Sequence, residues 1–209
     1  MAKRRPAGIQ VGFEEILSSY PSDRAKEVFG KKHPTWSVFE ATAESMRDAD
    51  PIRAFSRISI RWSAGQGRWA NVPWIAALDS RETTKTSSGV YVAYLFRADM
   101  SGVYLTLNQG TSWVLAGYGG NAGAQLRKRA SILRQHAQNL VDSGFVVDVG
   151  IDLRSSTKLI RSYEDSTVAF KLYESRSIPE DAKLLSDLAG VLTCYQALIP
   201  SREILGRRA

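Results

Sequence analysis

What this sequence withholds narrows it first. It carries a single cysteine, Cys194, so no disulfide can form within the chain, and with only His33 and His136 as imidazoles it has no cluster at zinc-like spacing. There is no HExxH, no GxSxG, no GKS/T loop and no HNH-like or paired-cysteine arrangement, which removes the common hydrolase and nucleotide-binding signatures. No apolar run approaches the roughly 18 residues of a membrane span, and no apolar h-region follows the basic start MAKRRPAG. These absences predict a cytosolic protein in a reducing compartment, with no cofactor, no metal and no catalysis of its own. The acids Asp148, Asp152, Glu164 and Asp165 are explained by solvation or ion pairing.

What is present reads as a globular chain. With 209 residues, 44% hydrophobic and 23% charged, it can bury one sizeable core as a single domain. The formal net charge of +7 attracts polyanions in a salt-dependent way without identifying one. Apolar residues at helical spacing predict two short helices, or one broken at Pro21, over residues 13–30, and a further helix over 36–48. Residues 57–62 alternate sharply, as a half-buried strand does. A glycine-rich loop, SAGQGR, follows at 63–68. Strands are expected at 72–78, 91–97 and 103–107 as an antiparallel meander, with the polar segment 80–88 reaching outward and a tight turn at 100–102. A helix is expected over 123–143 with Gly144 as its stop, strands at 145–151 and 167–174, a polar and irregular excursion between them, and an apolar helix over 179–198. The fold class is therefore α+β, with a mixed, mostly antiparallel curved sheet flanked by helices. Residues 1–199 form the domain and 200–209 a linker toward a further effector domain.

Side chains two apart on a strand share a face. Val72, Trp74, Ala76 and Leu78 then face one way, as do Tyr91, Ala93, Leu95 and Arg97, so antiparallel pairing of these strands can bring Trp74, Tyr91 and Leu95 into one pocket. Aromatic side chains on strands also serve as core, and the pattern alone does not choose between the two. Asn108 and Gln109 end the last strand of the meander, where their amides brace loops or meet a base edge.

Taken in order, GQGRWANVPW at 65–74, GVYVAYLF at 89–96 and GVYLTLNQG at 102–110 resemble the N-terminal DNA-binding domain of McrB-type modification-dependent restriction systems. The resemblance implies a specificity domain that reads 5-methylcytosine or a related modified cytosine in duplex DNA. It would flip the base into an aromatic pocket, with a nuclease or NTPase on another domain or partner. It puts the pocket at Trp74, Tyr91 and Leu95, and a DNA-inserting loop at Gly65, Gln66, Gly67, Arg68 and Trp69. Where the family has an aromatic and an amide in that loop, this chain has Gln66 and Arg68; Trp69 supplies a ring there only if the loop takes a different path. Arg61, Lys85, Arg127 and Lys128 are candidate phosphate contacts. Two alternatives stay open: a DNA- or RNA-binding module that flips no base, and a protein-interaction domain with Trp74 and Tyr91 in its core.

Overall fold

The computed structural model describes residues 8–30 and 33–204. The alternation expected near residue 58 becomes the edge of a five-stranded sheet. Strands β1 (Ile58–Gly65), β2 (Trp69–Asp79), β3 (Val90–Phe96), β4 (Gly102–Gln109) and β5 (Thr167–Glu174) lie in sequence order. Every neighbouring pair is antiparallel, so the expected meander is present and no strand makes the sheet mixed. Among the described residues the helices are α1 (Ile9–Lys26), α2 (Pro34–Asp48), α3 (Asp50–Arg53), α4 (Ser112–Tyr118), α5 (Ala122–Arg134), α6 (Lys158–Asp165) and α7 (Asp181–Ile204). Together they make a single α+β domain. None is long and apolar enough to cross a membrane.

The period of two along each strand divides the core in half. One face carries Ile75, Ala77, Val92, Tyr94, Phe96, Leu105 and Leu107, packed against residues of α1, α2 and α7 such as Phe13, Phe39, Met46, Leu188 and Leu192. Phe13 sits edge-on to Tyr94 and Phe96, with ring centroids 4.8 and 5.4 Å apart. The opposite face carries Val72, Ala76, Leu78, Tyr91, Ala93, Leu95, Tyr104 and Phe170 under a thinner cover of Ile151, Leu153 and Ile160.

Several local expectations give way to tertiary packing. Helix α1 runs unbroken through Pro21. An interior proline costs about 3 kcal/mol, but the buried row Phe13, Ile16, Leu17 and Tyr20 holds this helix down on the sheet. The Tyr20 hydroxyl lies 2.9 and 2.8 Å from the carbonyls of Ala64 and Ala70. At the start of α2, His33 caps the helix by accepting from the Thr35 amide, with Pro34 at the first helical position. The helix expected over 123–143 ends at Arg134 and resumes as a 3-10 turn, Gln138–Ser143, closed by left-handed Gly144. The break lets Arg134 donate to the carbonyls of Val168 and Thr167 at the start of β5, while Ala137 and Leu140 turn into the core.

The strand expected at 145–151 is reduced to one bridge, Val146 to Phe170. Beyond it the chain leaves the edge of the sheet to cross the second face. The excursion between 153 and 166 contains helix α6 in place of irregular chain. Helix α7 runs on to Ile204, past the domain boundary drawn at 199; the rest of the expected linker, 205–209, lies outside the described residues.

Candidate nucleic-acid interface

Strand register places the aromatic set. Trp74 on β2 lies directly opposite Leu95 on β3 and, on its other side, opposite Ser63 on β1. One step further along the same face, Ala76 lies between Arg61 and Ala93, and Ala93 lies opposite Thr106. Tyr91 is four residues before Leu95, about 13 Å along the strand, and faces the same way. Trp74 and Leu95 thus bound one end of a floor of small side chains, Ala76, Ala93 and Thr106, and Tyr91 bounds the other. All three predicted pocket residues belong to one apolar cluster.

Residues 151–165 roof this floor. The Leu153 carbonyl accepts from the Ala98 amide at 2.9 Å, and the Leu153 amide donates to the Glu164 carboxylate at 2.8 Å. Arg97 ties roof to sheet by donating to the Asp152 carbonyl at 3.1 Å and the Tyr104 hydroxyl at 2.7 Å. Helix α6 then turns Ile160 and Tyr163 inward. Tyr91 and Leu95 are left only 5% and 4% exposed. Trp74 stays half-buried beside the exposed Arg61, so it marks where this face meets solvent. Burial raises the pKa of both Tyr91 and Tyr163, and the Tyr163 phenol lies close enough to add to the Tyr91 shift. Both are therefore neutral phenols at physiological pH, able to donate and to accept.

The glycine-rich loop is the tip of the β1–β2 hairpin. Gly65 has φ 133°, and a Cβ there would meet the Arg68 carbonyl oxygen at 2.0 Å, so this tight reversal requires glycine. Gln66, Gly67 and Arg68 project into solvent. Trp69 does not project with them. Its ring turns inward, edge-on to His33, Phe29 and Tyr20 at 5.1, 5.4 and 5.6 Å, and its indole N–H donates to the Glu27 carbonyl.

The candidate phosphate contacts are spread over the molecule. Arg61 shares the Trp74 face, and Lys128 is exposed on α5. Arg127 holds Asp165 of α6 in a 2.7 Å ion pair. Lys85 is exposed, but its loop folds on itself: the Thr83 hydroxyl and the Lys85 backbone exchange hydrogen bonds of 2.8 and 3.1 Å, and the Glu82 carboxylate accepts from the Val90 amide. Asn108 accepts from the Ser166 hydroxyl, and Gln109 is held by the Leu126 carbonyl and by Arg129, so both amides brace structure.

Burial raises the Glu164 pKa, aided by Asp152 and Asp165 and opposed by the Leu153 amide. The Cys194 thiol is pushed up to about 11 by burial. Among the described residues no group of three or more His, Cys, Asp or Glu side chains is placed to hold a metal ion. An open groove of about 580 Å³ lies away from the Trp74 face, along α1 and beside Met100 and Ser175.

The residues that sequence reasoning missed are those of the roof. Ile160 and Tyr163, three apart in a polar stretch, were its one signal. Tyr104 could have been read from its period-two relation to Thr106 and Asn108. A family model described as MrcB-like, N-terminal domain matches residues 15–200. No curated protein matches the chain.

Proposed function

The chain belongs to the family of MrcB-like N-terminal domains, whose role is DNA binding in restriction systems, and on that footing we propose that it captures a flipped, modified cytosine on the Trp74–Tyr91–Leu95 face. In this reading it is the specificity domain of a modification-dependent restriction endonuclease, and the nuclease or NTPase belongs to another domain or partner. The observation that carries the reading is the register: a ring and an aliphatic side chain bound a floor of alanines beside an arginine-bearing edge.

The energetics set what such a face must supply. Turning a base out of the duplex costs a few kcal/mol, and stacking on one ring returns about 1–3 kcal/mol. A ring alone is marginal, so aliphatic contact and hydrogen bonds to the base edge are needed as well. Burying a single methyl contributes at most about 0.8 kcal/mol, or roughly fourfold in affinity, so preference among cytosine modifications is expected to be graded. Matched duplexes carrying cytosine, 5-methylcytosine, 5-hydroxymethylcytosine or N4-methylcytosine test this directly. Tighter binding of one or more modified duplexes than of the cytosine duplex is expected; equal affinity for all four overturns the reading.

A second reading is favoured by the burial of Tyr91 and Leu95 at 5% and 4% exposure. There the two side chains are core, and the domain grips DNA through Arg61 and Arg68 without extracting a base. That reading gives equal affinities in the same experiment and a steep dependence on salt.

A further inference from the structure

The tyrosines packed against the sheet differ in one respect. Tyr20 meets the carbonyls of Ala64 and Ala70, and Tyr94 donates to the Leu184 carbonyl. Tyr104 accepts from Arg97, Tyr173 donates to Asp187, and Tyr195 accepts from the Asp79 amide. Tyr91 and Tyr163 have no hydrogen-bond partner for their hydroxyls among the described residues. Among the described residues the one fully buried side-chain polar atom without a partner is Trp36 Nε1, so the two tyrosine hydroxyls, unbonded within the chain, keep contact with solvent and are open to a ligand. Tyr91 belongs to the small core that holds Ala76 and Ala93 and Tyr163 packs against it, near enough to add to the raised pKa of Tyr91. Tyr91 comes from the sheet and Tyr163 from α6, so they approach the floor from below and from above.

Resting on the base-capture reading, we propose that Tyr163 is a base-contacting residue of that site, its hydroxyl joining that of Tyr91 on the hydrogen-bonding edge of the captured base. A cytosine-type base offers the exocyclic amine as donor and the ring nitrogen and carbonyl oxygen as acceptors. A phenol can answer either, because its O–H rotates. The pair therefore adds affinity for any base with a polar edge, and this suits a site that tolerates more than one cytosine modification. Helix α6 thus has two roles: it roofs the alanine floor and delivers a polar contact.

The test compares the parent chain with Tyr163→Phe and Tyr91→Phe, which keep ring volume and remove only a hydroxyl. The probes are a duplex with one 5-methylcytosine opposite guanine and the same duplex with an abasic analogue at that position. Each substitution is expected to weaken binding to the 5-methylcytosine duplex about tenfold and to leave binding to the abasic duplex unchanged. Equal loss on both probes means that the hydroxyl acts through folding or packing and overturns the proposal, as does no loss on either. If the parent itself binds 5-methylcytosine and cytosine duplexes alike, the base-capture reading falls and takes this contact with it. A parent that discriminates while Tyr163→Phe matches it removes Tyr163 alone.

Discussion

On the α7 side of the sheet, Asp187 is buried among Lys171, Lys183 and Tyr173, each within 2.9 Å of its carboxylate. On the α6 side, Glu164 is half-buried near two other acids, and the hydroxyls of Tyr91 and Tyr163 make no hydrogen bond among the described residues. Burial acts to raise both carboxyls. For Asp187 the hydrogen bonds from Lys183, Lys171 and Tyr173 outweigh it and hold the pKa below the ordinary 3.8, whereas for Glu164 burial prevails and the pKa lies above 4.5. The difference separates a buried carboxylate whose hydrogen bonds and ion pairs serve stability from a region whose phenol hydroxyls are left open to a further partner. A bound base edge can be that partner.

The comparison is tested most strongly at Asp187. Replacing it with Ala strands Lys171 and Tyr173 and should lower unfolding stability by about 3–5 kcal/mol in urea titrations at neutral pH. Because its folded pKa is depressed, the stabilisation is complete above the unfolded value and is lost as pH falls through the folded one. The substitution should therefore matter much less once the pH has fallen below the folded value. Equal effects at both pH values would take Asp187 out of the stabilising network.

On the other face, the largest effect should be on binding. Trp74→Ala should reduce affinity for modified duplex by about 1–3 kcal/mol, the worth of one stacked ring, with little change on non-specific DNA. Its stability cost should be well below that at Asp187, since Trp74 is half-exposed. Circular dichroism and a binding titration on the same preparation decide this; a folded variant that binds like the parent removes Trp74 from the site.

The exposed hairpin tip comes next. Arg68→Ala should leave stability unchanged and weaken binding. A loss of about 1–3 kcal/mol confined to modified sites marks a base contact. A uniform loss, with the salt slope reduced by about one, marks a phosphate contact. Affinity and slope both unchanged would put the tip away from DNA.

The smallest effect belongs to Glu164. With a raised folded pKa, the folded state holds its proton more tightly than the unfolded state does. Its contribution to stability thus falls as pH rises from about 4.5 through the folded value. Glu164→Gln should flatten stability across that window and change little outside it. Stability curves for parent and variant that run parallel from pH 4 to 7 would show that Glu164 is not the group titrating.

How much of this was legible before the fold was known follows from the range of each interaction. Alternation along 57–62, 72–78 and 91–97 and the turn at 100–102 were enough for the meander, because a strand's two faces and a short turn are written in adjacent residues. With the meander came the shared face of Trp74, Tyr91 and Leu95. The segment beyond Gly110 was read less well. The break after Arg134 depends on carbonyls of Thr167 and Val168, the shortened strand at 146 on an edge taken by one bridge, and the roof on contacts between Leu153, Glu164 and Ala98. Pro21 illustrates the same limit, since a local breaker is overridden by burial of Phe13, Ile16 and Tyr20. Adjacent residues alone sufficed for the antiparallel meander of the first four strands, the face that carries the aromatic set and the glycine tip. The inward turn of Trp69, the cover of α6 over the alanine floor and the packing of Tyr163 on the cluster that holds Tyr91 came with the fold, because each depends on groups brought together from distant parts of the chain.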